Sequence, residues 1–110
     1  MEIKDSIYLI EVEKIQPNPY QPRKFFDETA LKELSESIKE YGILEPLIVT
    51  RKEVYTENGV EVLYELIAGE RRLEASKLIG LKTVTAIIKI VSEKGKLEIA
   101  LIENLQRRDL

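Results

Sequence analysis

The chain has no cysteine and no histidine among its 110 residues. Without cysteine there is no disulfide, no thiolate metal site and no sulfur nucleophile. Without histidine the commonest zinc ligand and the commonest general base are missing. Any chemistry must rest on carboxylates, lysines, arginines, hydroxyls, amides, backbone groups or a bound ion. No apolar run approaches the roughly 18 residues that a membrane span needs. The N-terminal Met1-Glu2-Ile3-Lys4-Asp5 lacks the apolar stretch of a signal peptide. The expectation is a cytoplasmic protein with no membrane partner. Positive charge is also scarce: 17 Lys and Arg stand against 20 Asp and Glu, a net charge of −3. That excludes a surface that is as a whole a sink for nucleic acid, but not a local basic patch.

What remains suits a folded domain. Hydrophobic residues make up 44% and charged residues 34%, and the length fits one domain over 1–110 with one core. No internal repeat, linker or low-complexity stretch interrupts it. The sequence stops at Arg107-Arg108-Asp109-Leu110, directly after a helical pattern, as expected of a piece of a longer protein.

Periodicity predicts the elements. Ser6 to Val12 reads as a short strand carrying Ile7, Leu9 and Val12. Three prolines between Gln16 and Pro22 make a stiff, extended loop. Asp27 is a plausible N-cap, and Leu31, Leu34, Ile38 and Tyr41 form one apolar stripe of a helix over 28–41 that ends at Gly42. Ile43 to Arg51 is a strand with Pro46 at its start or edge. Glu57-Asn58-Gly59 signals a hairpin turn, and Val60 to Ala68 is its second strand. A helix over 70–79 closes at Gly80, and the β-branched run Thr83 to Val91 is another strand. Ser92 caps a last helix over 93–108, with Leu97, Leu101 and Leu105 as its expected buried face. The fold class is α+β: a compact domain with about four strands and three helices.

Three groups of residues could carry chemistry. In Ala68-Gly69-Glu70-Arg71-Arg72 a strand ends and a helix begins. Free N–H groups at a helix N-terminus attract anions, and paired arginines offer planar forks for phosphate oxygens. The same arginines read equally as solvated side chains neutralised by Glu70 and Glu74. In Glu103-Asn104-Leu105-Gln106-Arg107-Arg108 the carboxylate and amide are hard donors suited to Mg²⁺. Glu103 and Arg107 are also an ordinary i,i+4 pair. Gln21-Pro22-Arg23-Lys24 could clamp an anion or a base edge, or simply connect. Ser37 lies one turn from its helix end, and termination alone accounts for Gly42.

Taken together and in order, these residues carry a resemblance. Asn18 to Arg23, Leu34 to Gly42, Pro46 to Val49, Gly69 to Arg72 and Glu103 to Arg107 resemble the N-terminal domain of ParB-type chromosome-partition proteins, over nearly the whole chain. The resemblance implies a ParB/sulfiredoxin-like fold and a CTP-dependent molecular switch with CTPase activity. It implies that Gly69, Glu70, Arg71 and Arg72 form a triphosphate motif, and that Glu103 and Asn104 coordinate Mg²⁺. Glu70 and Glu103 would support hydrolysis, and Arg107 would reach the phosphates. Gln21, Arg23, Ser37 and Gly42 would line the nucleotide pocket, with backbone near Ile43 to Val49 selecting cytosine. Glu45 stands where family members commonly carry glutamine, and an inward carboxylate there would weaken polyanion binding.

The resemblance also implies partners: a second copy in a conditional dimer that closes a clamp on DNA, centromere-like DNA bound through domains beyond this chain, and a ParA-type ATPase. It implies a place on the nucleoid. Other proteins on the same fold compete with this reading. A sulfiredoxin needs a cysteine, and a free-serine kinase expects a histidine within the phosphate motif; this chain has neither. A nuclease would draw on Glu70, Glu103 and Asn104, but the net charge does little to hold DNA. A non-catalytic DNA-associated regulatory module would keep the fold for contacts alone.

Overall fold

The computed structural model describes residues 6–20, 27–43 and 45–108, with the side chains of 103, 104 and 106–108 left aside. Strand β1 (Ile7–Glu11) leads through a 3-10 turn (Val12–Lys14) into the two-residue β2 (Ile15–Gln16). Helix α1 (Glu28–Tyr41), the hairpin β3 (Leu47–Thr56) and β4 (Gly59–Ala68), α2 (Glu70–Leu78), β5 (Thr83–Ile88) and α3 (Glu93–Arg108) follow. The strands form one mixed sheet in the order β1-β5-β3-β4-β2. β1 pairs antiparallel with β5, β3 pairs parallel with β5 and antiparallel with β4, and β2 pairs parallel with β4. The sheet has five strands, one more than the periodicity suggests, because β2 makes only Ile15↔Tyr64 and Gln16↔Glu65. Two residues are too few to show alternation.

Local chemistry explains the helix ends. Asp27 Oδ1 accepts from the Thr29 N–H at 3.0 Å, and the Gly42 N–H closes α1 on the Ile38 carbonyl with φ at 77°. Ser92 Oγ accepts from the Gly95 N–H at 3.0 Å, as a cap should. Buried Ser35 donates its hydroxyl to the Leu31 carbonyl at 2.9 Å and lies 3.4 Å from the Ala75 carbonyl in α2. Small residues here bring α1 close against α2. At the hairpin, positive φ falls on Gly59 alone, at 122°; no described residue other than glycine takes it.

The sheet is covered differently on its two faces. On one, Ile10, Leu47, Val49, Leu66, Val84 and Ala86 pack with Val12, Ile15 and Leu73 of α2 into a single buried core. On the other, Thr50, Glu65 and Ile67 are buried, and Glu65 meets Lys96 of α3. Neighbouring Glu65 and Leu66 point to opposite faces, as the period of a strand requires.

Three apolar expectations fail here. Leu97, Leu101 and Leu105 are 41%, 55% and 61% exposed, while Lys96 and Ala100 are buried. The spacing of four is helical, but α3 turns Lys96 and Ala100 inward because the strand beneath it offers a carboxylate to the lysine. In β1 the inward residue is Ile10, joined by Val12 just beyond the strand, and Ile7 and Leu9 are exposed. Tyr41, at the end of the α1 stripe, is exposed as well.

The carboxylate is that of Glu65. Lys96 Nζ lies 3.1 Å from Glu65 Oε1 and 2.8 Å from Glu93 Oε1. Lys52 Nζ approaches Glu65 at 3.4 Å, Tyr20 OH donates to Glu93 at 3.1 Å, and Asn18 Nδ2 donates to the Lys96 carbonyl at 3.2 Å. Burial pushes the Lys96 ammonium down, but the hydrogen bonds to Glu93 and Glu65 outweigh it and hold the group above the ordinary lysine value. The Lys96 and Tyr20 hydrogen bonds hold the Glu93 carboxyl below its usual range. Removing one partner from a buried pair leaves an uncompensated charge. Lys96→Ala is therefore expected to cost about 3 kcal/mol in urea unfolding. Lys96→Met combined with Glu65→Leu should recover most of that loss, because both charges then leave the interior.

Candidate nucleotide-binding site

The site is built where β4 turns into α2. Gly69 has φ at 106°, and a Cβ placed on it would lie 2.5 Å from Leu47 Cδ2. Leu47 is fully buried at the start of β3. Only glycine lets the two chains approach so closely with that backbone. The approach sets the N-terminus of α2 beside the segment that enters β3. Arg72, in the first turn of α2, then bridges the gap: its Nη1 donates to the Glu45 carbonyl at 2.7 Å and the Pro46 carbonyl at 3.0 Å. The Glu45 carboxylate approaches the same nitrogen at 3.6 Å. A guanidinium has five N–H donors, so two carbonyl contacts do not exhaust it.

Against this corner lies a cavity of about 160 Å³ lined by Leu34, Ser37, Ile38, Gly42, Ile43, Glu45 and Arg72. Its walls are apolar residues of α1, and its polar groups are one hydroxyl, one carboxylate and one guanidinium. Sites for whole small molecules are usually larger, about 300–1,000 Å³, so this cavity has room for only part of one. A cavity of about 830 Å³ lies elsewhere, lined by Glu11, Val12, Glu13, Ile15, Lys77, Leu81, Lys82 and Thr83. It is larger, but its two carboxylates and two ammonium groups offer no net charge to an anion. It holds none of the motif residues and touches α2 at its C-terminal turn, where the helix dipole repels anions.

The sequence-predicted residues are distributed as follows. Ser37, Gly42 and Arg72 meet at the smaller cavity. Gly69 sits directly behind Arg72, its constructed Cβ position 3.4 Å from the guanidinium carbon. Glu70 and Arg71 occupy the first turn of α2, with Arg71 exposed. Glu103, Asn104 and Arg107 lie on α3, but their side chains fall outside the described residues, as do Gln21 and Arg23 entirely. Among the described residues no group of three carboxylates forms a metal cluster. Leu34 and Ile38 also line the cavity, although the helical stripe marks them only as core.

Comparison with known proteins gives the family and the fold. The ParB N-terminal domain family matches residues 2–105. Stage 0 sporulation protein J of Bacillus subtilis is 51% identical over 107 residues, covering 97% of this chain and 35% of that protein. The chain thus spans about a third of the length of this curated relative. The C-terminally truncated chromosome-partitioning protein ParB of Caulobacter crescentus, complexed with CTP-gamma-S, superposes with a TM-score of 0.71 at 40% identity, covering 96% of this chain and 56% of that one. The same protein complexed to the centromeric parS site gives a TM-score of 0.70 at 37% identity, covering 94% and 49%.

The close approach at Gly69 gives a direct test. Gly69→Ala must strain a left-handed backbone and displace a fully buried leucine, so it is expected to cost about 3 kcal/mol in urea unfolding. Unchanged stability would show that the corner has room for a Cβ.

Proposed function

The chain belongs to the ParB N-terminal domain family, and from that premise we propose that it is the nucleotide-binding switch module of a chromosome-partition protein, with CTP as its ligand. The observation that carries the reading is the meeting of Ser37, Gly42 and Arg72 at one cavity beside the N-terminus of α2. A helix N-terminus and an arginine fork together favour a phosphate chain. The Caulobacter neighbour holds CTP-gamma-S, which supports a cytidine triphosphate over other anions.

In this reading Gly69, Arg71 and Arg72 receive the phosphates, and Arg107, Gln21 and Arg23 complete their enclosure. Ser37 and Gly42 border the nucleoside. Glu103 and Asn104 supply hard oxygen donors that fit Mg²⁺, which would neutralise phosphate charge. Glu70 and Glu103 orient water for slow hydrolysis, making the full-length protein a CTPase. Residues 1–110 form its N-terminal domain, and the helix-turn-helix and dimerisation domains lie beyond it. The Caulobacter protein in complex with parS supports centromere-like DNA as the partner of those other domains. Two copies engage when nucleotide is bound and close a clamp on DNA. That requires CTP to favour the engaged state over the open one. A ParA-type ATPase is the expected further partner, on the nucleoid in the cytoplasm. No helix among the described residues is long and apolar enough to cross a membrane.

The test is calorimetric titration of the chain with CTP, ATP, GTP and UTP, each with and without Mg²⁺. CTP is expected to bind selectively, and Arg72→Ala to weaken it by about tenfold or more, the worth of a hydrogen bond to a charged group. Binding without preference among the bases, or no binding at all, would contradict the proposal.

A further inference from the structure

We infer that the Glu45 carboxylate partly neutralises Arg72 and so limits how tightly the pocket takes a polyphosphate. This deepens the nucleotide reading above and rests on it. The two side chains line the same cavity, and Glu45 Oε2 lies 3.6 Å from Arg72 Nη1. Both Nη1 hydrogens are given to the two main-chain carbonyls, so the carboxylate acts on the guanidinium through its charge, beside the N–H groups left open to a phosphate oxygen. The guanidinium is the fixed member of the pair. Its side chain is 26% exposed, and Nη1 is held by the Glu45 and Pro46 carbonyls.

The carboxylate is the movable member, since its side chain is 82% exposed. Its backbone is stiff all the same, because a residue preceding proline is confined to extended conformations. The side chain is thereby kept within reach of the guanidinium. An arriving polyphosphate meets a cation that is partly neutralised. Either the carboxylate swings away and the ion pair is lost, or it stays and repels the ligand. Both outcomes lower affinity. Exposed ion pairs are individually weak, so the expected effect is about fivefold in dissociation constant.

The geometry separates charge from scaffold. Glu45→Gln removes the negative charge but keeps the main-chain carbonyl that Arg72 uses. Calorimetry of the chain and of Glu45→Gln with CMP, CDP and CTP, at low and high salt and with and without Mg²⁺, tests the inference. The variant is expected to bind CTP about fivefold tighter at low ionic strength. The advantage should grow with the number of phosphates and vanish near 1 M salt, where screening reaches about 3 Å. Equal affinities would overturn the inference and leave the nucleotide reading standing. So would weaker binding by the variant only when Mg²⁺ is present, which would make Glu45 a cation ligand. A fall of several degrees in the variant's Tm without nucleotide, accompanied by weaker binding, would make the pair a structural strut and overturn it as well. If neither protein binds any of the three nucleotides, both readings fall together.

Discussion

The contact on which the rest depends is the approach of the Gly69 backbone to the buried side chain of Leu47. Leu47 belongs to the main core, with Leu73 of α2 packed in the same cluster. The corner between β4 and α2 is therefore set by core packing, and interiors packed at this density yield little. From that corner the first turn of α2 projects toward the chain entering β3. Arg72 then finds two carbonyls within hydrogen-bond reach. One glycine thus joins fold to site: it lets the core close, and the closed core fixes a guanidinium beside a cavity.

A second constraint acts from the opposite face of the sheet. Helix α3 is seated on the sheet by Lys96 on Glu65, with Glu93 of the same helix as the lysine's second partner and Asn18 and Tyr20 tying the N-terminal segment to α3 at Lys96 and Glu93. Such a polar seat is directional in a way that an apolar one is not. It specifies which side of α3 faces the sheet and leaves Leu97, Leu101, Ile102 and Leu105 exposed. Since Glu103 and Asn104 lie on the same helix, the position of the proposed metal donors depends on this seat. The chain's overall negative charge does not conflict with anion binding. What matters at the cavity is the local arrangement of a helix N-terminus and an arginine.

Much of this was legible in the sequence where a local signal is strong. Asp27 and Gly42 bracket α1 as their chemistry requires, Ser92 opens α3, and Gly69 marks the corner. The grouping of Ser37, Gly42 and Arg72 was legible through family resemblance, because residues far apart in sequence carry no mark of meeting. Other features lacked a local signal. β2 is too short for a pattern, and its pairing is supplied by β4. β3 runs on to Thr56, beyond the expected Arg51, because its outer half is exposed and stabilised by cross-strand pairing with β4. The inward face of α3 has no local mark, because leucine spacing reports helical period but not the identity of the opposing surface. Glu65, one buried carboxylate on the neighbouring sheet, decides it.

The measurement that bears most directly on where this chain acts is amide chemical-shift mapping as CTP and Mg²⁺ are added. Shifts concentrated at Ser37, Gly42, Ile43 and Gly69 to Arg72 are the predicted result, since these backbone groups border the cavity at the Gly69 corner. Shifts confined to Glu11–Ile15 and Lys77–Thr83, around the larger cavity, would contradict it and move the site to the other end of α2.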